Sequence, residues 1–181
     1  VGIVIGIPLT QGKIAIVDEE DAELARLKWY ARLGGSTFYA ARTTRATGGF
    51  WTTGTLHCAV WARAHPGEPV PRELDHRNGD GLDNRRSNLR PATRQENSRN
   101  RRLQTNNTSG FKGVHWEASS RKWRAVIRVD HRFYRLGRFR TAEDAARIYD
   151  GQARARFGEF ATLNFPLPGE RPARNVTGGP S

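Results

Sequence analysis

The chain has 181 residues, with 30 Lys and Arg against 18 Asp and Glu, a formal net charge of +12 and one cysteine. The positive excess points to a polyanionic partner, and a single thiol excludes an internal disulfide or a Cys-x-x-Cys zinc site. The longest apolar run, Val1 to Leu9, is about half the roughly 20 residues that span a bilayer and lacks the basic flank of a signal peptide. A soluble, cytoplasmic protein with no membrane partner and no small-molecule cofactor is therefore expected.

In chain order, residues 3–17 read as a hairpin, and the acids Asp18 to Asp21 open a helix running to about Lys28. Trp29–Arg32, Thr37–Arg42 and Phe50–Leu56 alternate like strands, with Gly34-Gly35 and Gly48-Gly49 as turns. His57 to Ala64 is a short helix, stopped by the loop His65 to Pro69. Leu74–Arg77 and Asn88–Arg90 are two short strands around the turn Asn78 to Gly81, and Pro91 breaks the second. Thr93 with Glu96 three residues on forms a capping box for the next helix. Thr105 to Gly110 is the candidate linker, three strand-like runs and a helix fill 111–165, and the Pro/Gly-rich end reads as a disordered tail. By segment, 1–74 carries +1, 75–105 carries +4 and 106–165 carries +6, so the first part reads as scaffold and the rest as the charged, functional part.

The most informative stretch is LDHRNGDGLDNRRSNLR at 74–90, followed by PATRQENSRNRR at 91–102. A hairpin with a helix folding back over it would bring Asn97 close to Asp75 and His76. A carboxylate and an amide oxygen are hard ligands for Mg²⁺ or Mn²⁺. An adjacent imidazole titrates near neutrality and can take a proton from an attacking water. Those parts suffice for phosphodiester hydrolysis. Arg94, Arg99, Arg101 and Arg102 on the same helix are placed to hold backbone phosphates.

This stretch resembles the HNH endonuclease motif, in the subgroup whose final position is Asn. An Asp-His pair alone is a common surface pair, but Asn88-Leu89-Arg90 twelve residues on and a helical Asn97 make the pattern specific. The resemblance spans roughly 6–105 and includes Leu56-His57. It implies His76 as general base, Asp75 and Asn97 as metal ligands, and Asn88, with Asn84, as structural residues that pin the hairpin loop. His57 is a candidate behind the reacting groups. Cys58 stands where many relatives carry Arg.

In the second part, Trp123, Ala125, Ile127 and Val129 project to one side of a strand and Arg124, Val126 and Arg128 to the other. Tyr134 and Leu136 oppose Phe133 and Arg135, and Thr141 caps a helix from Ala142 to about Phe157. The runs Phe111-Lys112-Gly113-Val114, Leu136-Gly137-Arg138-Phe139 and Leu163-Asn164-Phe165 resemble the APETALA-two/ethylene-response-factor domain over 107–165. That resemblance places Lys112, His115, Arg128 and Arg135 at DNA-contacting positions, with Arg124 on the same face. Val126 and Arg135 replace the plant domains' Glu and Trp, so their base preference does not carry over.

The expected fold class is α+β: a small N-terminal α/β scaffold with a ββα-metal motif at 72–103, then a three-stranded antiparallel sheet packed on one helix. The expected domains are 1–105, 106–166 and a tail, 167–181. The expected function is a metal-dependent, homing-type or phage endonuclease acting on double-stranded DNA and targeted by its second domain. The rival is a non-catalytic DNA-binding regulator on a decayed nuclease scaffold; an RNA binder is weaker, because no single-strand stacking platform is evident.

Overall fold

The structure is a computed structural model describing residues 2–35, 37–99 and 107–173, with Ser98 and Arg99 described in backbone only. Two compact units divide the chain, Val1–Arg94 and Gln95–Ser181.

The first unit opens with β1 (Val4–Pro8) and β2 (Ile14–Asp18), paired antiparallel. Their two-residue period sends Ile7, Ala15 and Val17 into the core and leaves Val4 and Ile14 outside. The helix expected from the acidic run is a 3₁₀ helix, Glu19–Arg26. Three residues per turn stack Asp21 above Leu24 on the inward side, where both are buried. Asp21 belongs inside because Arg63 and Arg86 meet its carboxylate there.

β3 (Tyr30–Gly34), β4 (Thr37–Arg45) and β5 (Trp51–Thr55) form an antiparallel sheet in that order. β5 runs directly into α1 (Leu56–Ala64), whose Leu56 and Val60, one turn apart, complete the core with Ile7, Val17, Trp29 and Leu89. β6 (Leu74–His76) and β7 (Leu89–Pro91) make a two-stranded ladder. The return strand begins one residue later than expected, because Arg86–Asn88 is a 3₁₀ turn. Pro91 ends the strand inside the ladder, which a two-stranded sheet permits because both strands are edges. α2 (Arg94–Arg99) follows; the expected continuation to 103 lies outside the described residues.

In the second unit, β8 (Val114–Glu117), β9 (Lys122–Val129) and β10 (Arg132–Phe139) form an antiparallel sheet, β9 in the centre. α3 (Ala142–Phe157) is capped as expected, the Thr141 hydroxyl accepting from the Asp144 N–H. Its Ala145, Ala146, Tyr149 and Ala153 pack on Val114, Ala125 and Ile127. Small side chains let helix and sheet approach so closely that a Cβ on Gly113, at φ +74, would lie 2.1 Å from the Tyr149 ring. Asp150, 1% exposed, accepts the N–H groups of Asn164 and Phe165 and so fixes β11 (Thr162–Leu163). Within the segment expected to be a disordered tail, residues 170–173 are held in place, while 167–169 are exposed. β12 (Arg171–Pro172) pairs parallel with β11, Ala173 is buried, and Glu170 takes two N–H groups of Arg154. Residues 174–181 lie outside the described residues.

Candidate functional site

β6 and β7 bring three sequence-predicted groups of the first unit together. Asp75 and His76 are consecutive on β6, opposite Arg90 and Leu89, and Asn88 precedes β7. Asp75, His76 and Arg90 are all nearly inaccessible, at 6, 4 and 3%. The Arg90 Nε and Nη2 both donate to Asp75 Oδ2, at 3.1 and 2.8 Å. A buried carboxylate needs such a partner, since an uncompensated charge there costs several kcal/mol.

The loop between the strands is sewn shut by amides. Asn88 Oδ1 accepts the Asn78 N–H at 3.0 Å, while its Nδ2 donates to the Asp83 carbonyl at 2.7 Å and to Asn78 Oδ1 at 3.1 Å. Burial alone would raise the Asp83 carboxyl, but hydrogen bonds from Arg85 and Asn78 outweigh it and hold the group below the usual carboxylate range. Fully buried Asn84 ties the loop to β2, its N–H donating to the Ile16 carbonyl and the Ile16 N–H to the Leu82 carbonyl. Gly81 is required where the loop crosses β4, since a Cβ would lie 2.5 Å from the Phe38 carbonyl oxygen.

These constraints orient His76. The Asn84 Nδ2 donates to the Leu82 carbonyl at 2.9 Å, so the amide oxygen is the atom facing His76. His76 Nε2, 3.4 Å away, is then the protonated ring nitrogen. Around the ring stand His57, with centroids 5.2 Å apart and planes at 88°, and Tyr39, at 5.8 Å. His57 is itself held by the Thr55 hydroxyl at 3.0 Å. Burial above all, then His76 and Arg32, pushes the His57 pKa down to about 3, so its ring is neutral at physiological pH. Tyr39 was not singled out from sequence; its signal was the alternation of Thr37–Arg42, which puts it opposite Arg32, near the start of β4, with its ring against His57 of α1.

One carboxylate plus one amide oxygen suits a hard cation that keeps several waters and completes its shell with substrate phosphate. Asp75 is a carboxylate on β6, and Asn97 lies on α2, in the second unit. Among the described residues no group of three or more His, Cys, Asp or Glu side chains could hold a metal ion. A set with a single carboxylate and an amide does not call for such a group.

The HNH endonuclease family model matches residues 55–99, from the strand end at Thr55 through α2. Protein 3.8 of Escherichia phage T7 is 31% identical over 112 residues, covering 62% of this chain and 92% of the phage protein. The chain belongs to the HNH endonuclease family. An uncharacterized HNH endonuclease of Acanthamoeba polyphaga mimivirus is 36% identical over 111 residues, covering 60% of this chain and 56% of its own length. Dehydration-responsive element-binding protein 2A of Arabidopsis thaliana is 44% identical over 63 residues, covering 34% of this chain and 18% of the plant protein. No solved structure matches the chain.

In this HNH protein the remaining predicted residues lie in varied surroundings. On the open face of the second sheet His115 stands opposite Arg124, and burial, then Arg124, lowers its pKa. Arg124 and Arg138 both bond Glu117, whose carboxyl is held down to about 2, chiefly by the Arg138 hydrogen bond. Arg128 bonds His131 Nδ1 at 3.3 Å and lies over the Phe133 ring, and Arg135 is exposed opposite Val126. At Lys112, desolvation, then Arg171, lowers the pKa to about 7 against the opposing pull of Asp150. Arg94 is exposed at the start of α2, and Arg101 lies outside the described residues.

Proposed function

We propose that the chain is a metal-dependent endonuclease that hydrolyses phosphodiester bonds of double-stranded DNA and is placed on its target by the open sheet face of its second unit. The observation that carries this reading is the β6–β7 hairpin, in which Asp75 and His76 adjoin on one strand and the loop behind them is locked by Asn84 and Asn88. That arrangement would hold a base and a hard ligand in fixed register, and the match of residues 55–99 to the HNH endonuclease family supports the reading. Asp75, and Asn97 on the strength of the motif, would hold Mg²⁺ or Mn²⁺. When bound, the metal supplies charge neutralisation at the phosphoryl group and its leaving oxygen.

The chain's own groups do the rest. His76, fixed by Asn84 and walled by His57 and Tyr39, takes a proton from the attacking water. Arg90 balances the Asp75 charge inside the buried hairpin. Attack with loss of the 3′ oxygen leaves 3′-hydroxyl and 5′-phosphate ends. His115, Arg128 and Arg135 hold the duplex and contribute base readout. The test is nicking of supercoiled plasmid in Mg²⁺ or Mn²⁺. His76→Ala should lower the rate by about 10²–10⁴-fold with DNA affinity retained. Equal rates for both proteins would remove His76 from the mechanism, and a native chain that binds but never nicks would favour a non-catalytic DNA binder.

A further inference from the structure

The near-neutral average of residues 1–74 hides a sharp segregation. Residues 1–23 hold five carboxylates and one lysine, whereas residues 24–67 hold six Lys and Arg and no Asp or Glu. The acid-free stretch contains the whole β3–β4–β5 sheet. Strand parity and register place Arg32, Thr43, Thr53, Arg45 and Trp51 on the face that also carries Tyr39. Tyr39 touches His57 and His76 with its ring, so this face begins at the candidate site. From Tyr39 to Arg45 it runs six residues, about 20 Å at roughly 3.3 Å per residue.

Three features mark the face as a surface for a polyanion. Arg32 and Arg45 are exposed, and among the described residues neither has a carboxylate partner, unlike Arg63, Arg85, Arg86 and Arg90 of the same unit. Between them lies a ladder of hydroxyls, Thr43 facing Thr53 at 3.4 Å, which can donate to phosphate oxygens. At the far end, past Gly48 and Gly49 at φ +103 and +87, Phe50 and Trp51 are 74 and 71% exposed. A protein partner would call for apolar surface along the sheet; here the rings are confined to the tip and the approach is cationic.

We propose that this face is a second duplex-DNA surface. It tracks about six base-pair steps beside the scissile phosphate, with Arg32 and Arg45 on phosphates and the Phe50–Trp51 tip wedged into the minor groove. It rests on the nuclease reading only in placing that phosphate at His76. The surface makes the nuclease unit a positioning device in its own right, so that recognition does not depend on the second unit alone.

The test uses the full chain and a random-sequence duplex of about 40 base pairs, with affinity measured by anisotropy across a KCl series. Arg32→Gln with Arg45→Gln should lower the slope of log affinity against log salt by about 1.8, since each phosphate contact contributes about 0.9. The Lys pair, R32K with R45K, should keep the slope. Phe50→Ala with Trp51→Ala should keep it too, while abolishing the fluorescence rise of a 2-aminopurine unstacked in the bound duplex. Wild-type slope and affinity in the Gln pair would overturn the proposal, as would F50A with W51A turning a dimer into a monomer in sedimentation. Plasmid nicking by the native chain is read separately. No nicking with the slope change intact sinks the nuclease reading and leaves the surface standing; normal nicking with an unchanged slope does the opposite.

Discussion

Arg90→Met tests whether the Asp75–Arg90 pair underlies both fold and site. The substitution keeps the stem and removes a guanidinium that is 3% exposed and gives two N–H groups to Asp75 Oδ2. It takes the Arg90 charge and both of these hydrogen bonds away from a carboxylate that is 6% exposed. Losing one partner of a buried ion pair costs about 3–5 kcal/mol, of the order of half a typical domain's stability. The urea midpoint of the first unit's transition should therefore fall steeply at unchanged m-value. Asp75→Leu combined with Arg90→Met removes both charges and should recover most of the loss, because an apolar pair of similar volume is often as stable as the buried ion pair. The double variant should then be folded and unable to nick DNA, which separates the role in the fold from the role in chemistry. An Arg90→Met protein within about 1 kcal/mol of the native chain would refute the reasoning, as would a double variant whose deficit equals the sum of the singles.

Asn88→Ala removes bonds to the Asn78 N–H and the Asp83 carbonyl; a cost of about 1–3 kcal/mol is expected, with faster amide exchange confined to residues 77–88. Gly113→Ala should destabilise the second unit by more than about 3 kcal/mol in thermal melts, because its Cβ meets Tyr149 at 2.1 Å and its φ is +74. His57 has a folded pKa of about 3 against 6.5 unfolded, so the unfolded chain binds the extra proton between those values. Stability due to a neutral His57 is complete above pH 6.5 and is lost as pH falls toward 3, by up to about 1.4 kcal/mol per pH unit. His57→Phe should lessen that decline in denaturant titrations from pH 7 to 4, and an identical decline would show that the ring is solvated.

Local signals made much of this legible in sequence. Alternation gave the β1–β2 hairpin and the two faces of β9, the Thr141 cap marked α3, and the stretch holding Asp75, His76 and Asn88 marked the β6–β7 hairpin. What stayed hidden depends on partners far along the chain. The acidic run reads only as a helix start, and nothing local to it says that Asp21 turns inward to meet Arg63 and Arg86, 42 and 65 residues away. The same holds for Tyr39, whose ring matters because the sheet ends beside α1 and β6. The Pro- and Gly-rich composition of 167–173 suggested disorder, yet Glu170 and Ala173 are held by Arg154 and the Leu163 carbonyl. Composition reports the entropy of a segment; it does not report the partner that offsets it.

The same distinction changes the meaning of the net charge. The +4 of residues 75–105 suggests a cationic patch around the β6–β7 hairpin. Yet Arg85, Arg86 and Arg90 each face a carboxylate of the first unit: Asp83, Asp21 and Asp75. In the second unit Arg124 and Arg138 share Glu117, and Arg154 holds Glu170. Such arginines fix loops and strands, and their fields are largely cancelled at the distance of a phosphate outside. The arginines left to act on a duplex include Arg32 and Arg45 on the first sheet and Arg135 on the second, positions that segment totals do not single out. For an HNH protein, the footprint of DNA is therefore better sought among cations without internal carboxylate partners than where basic residues are densest.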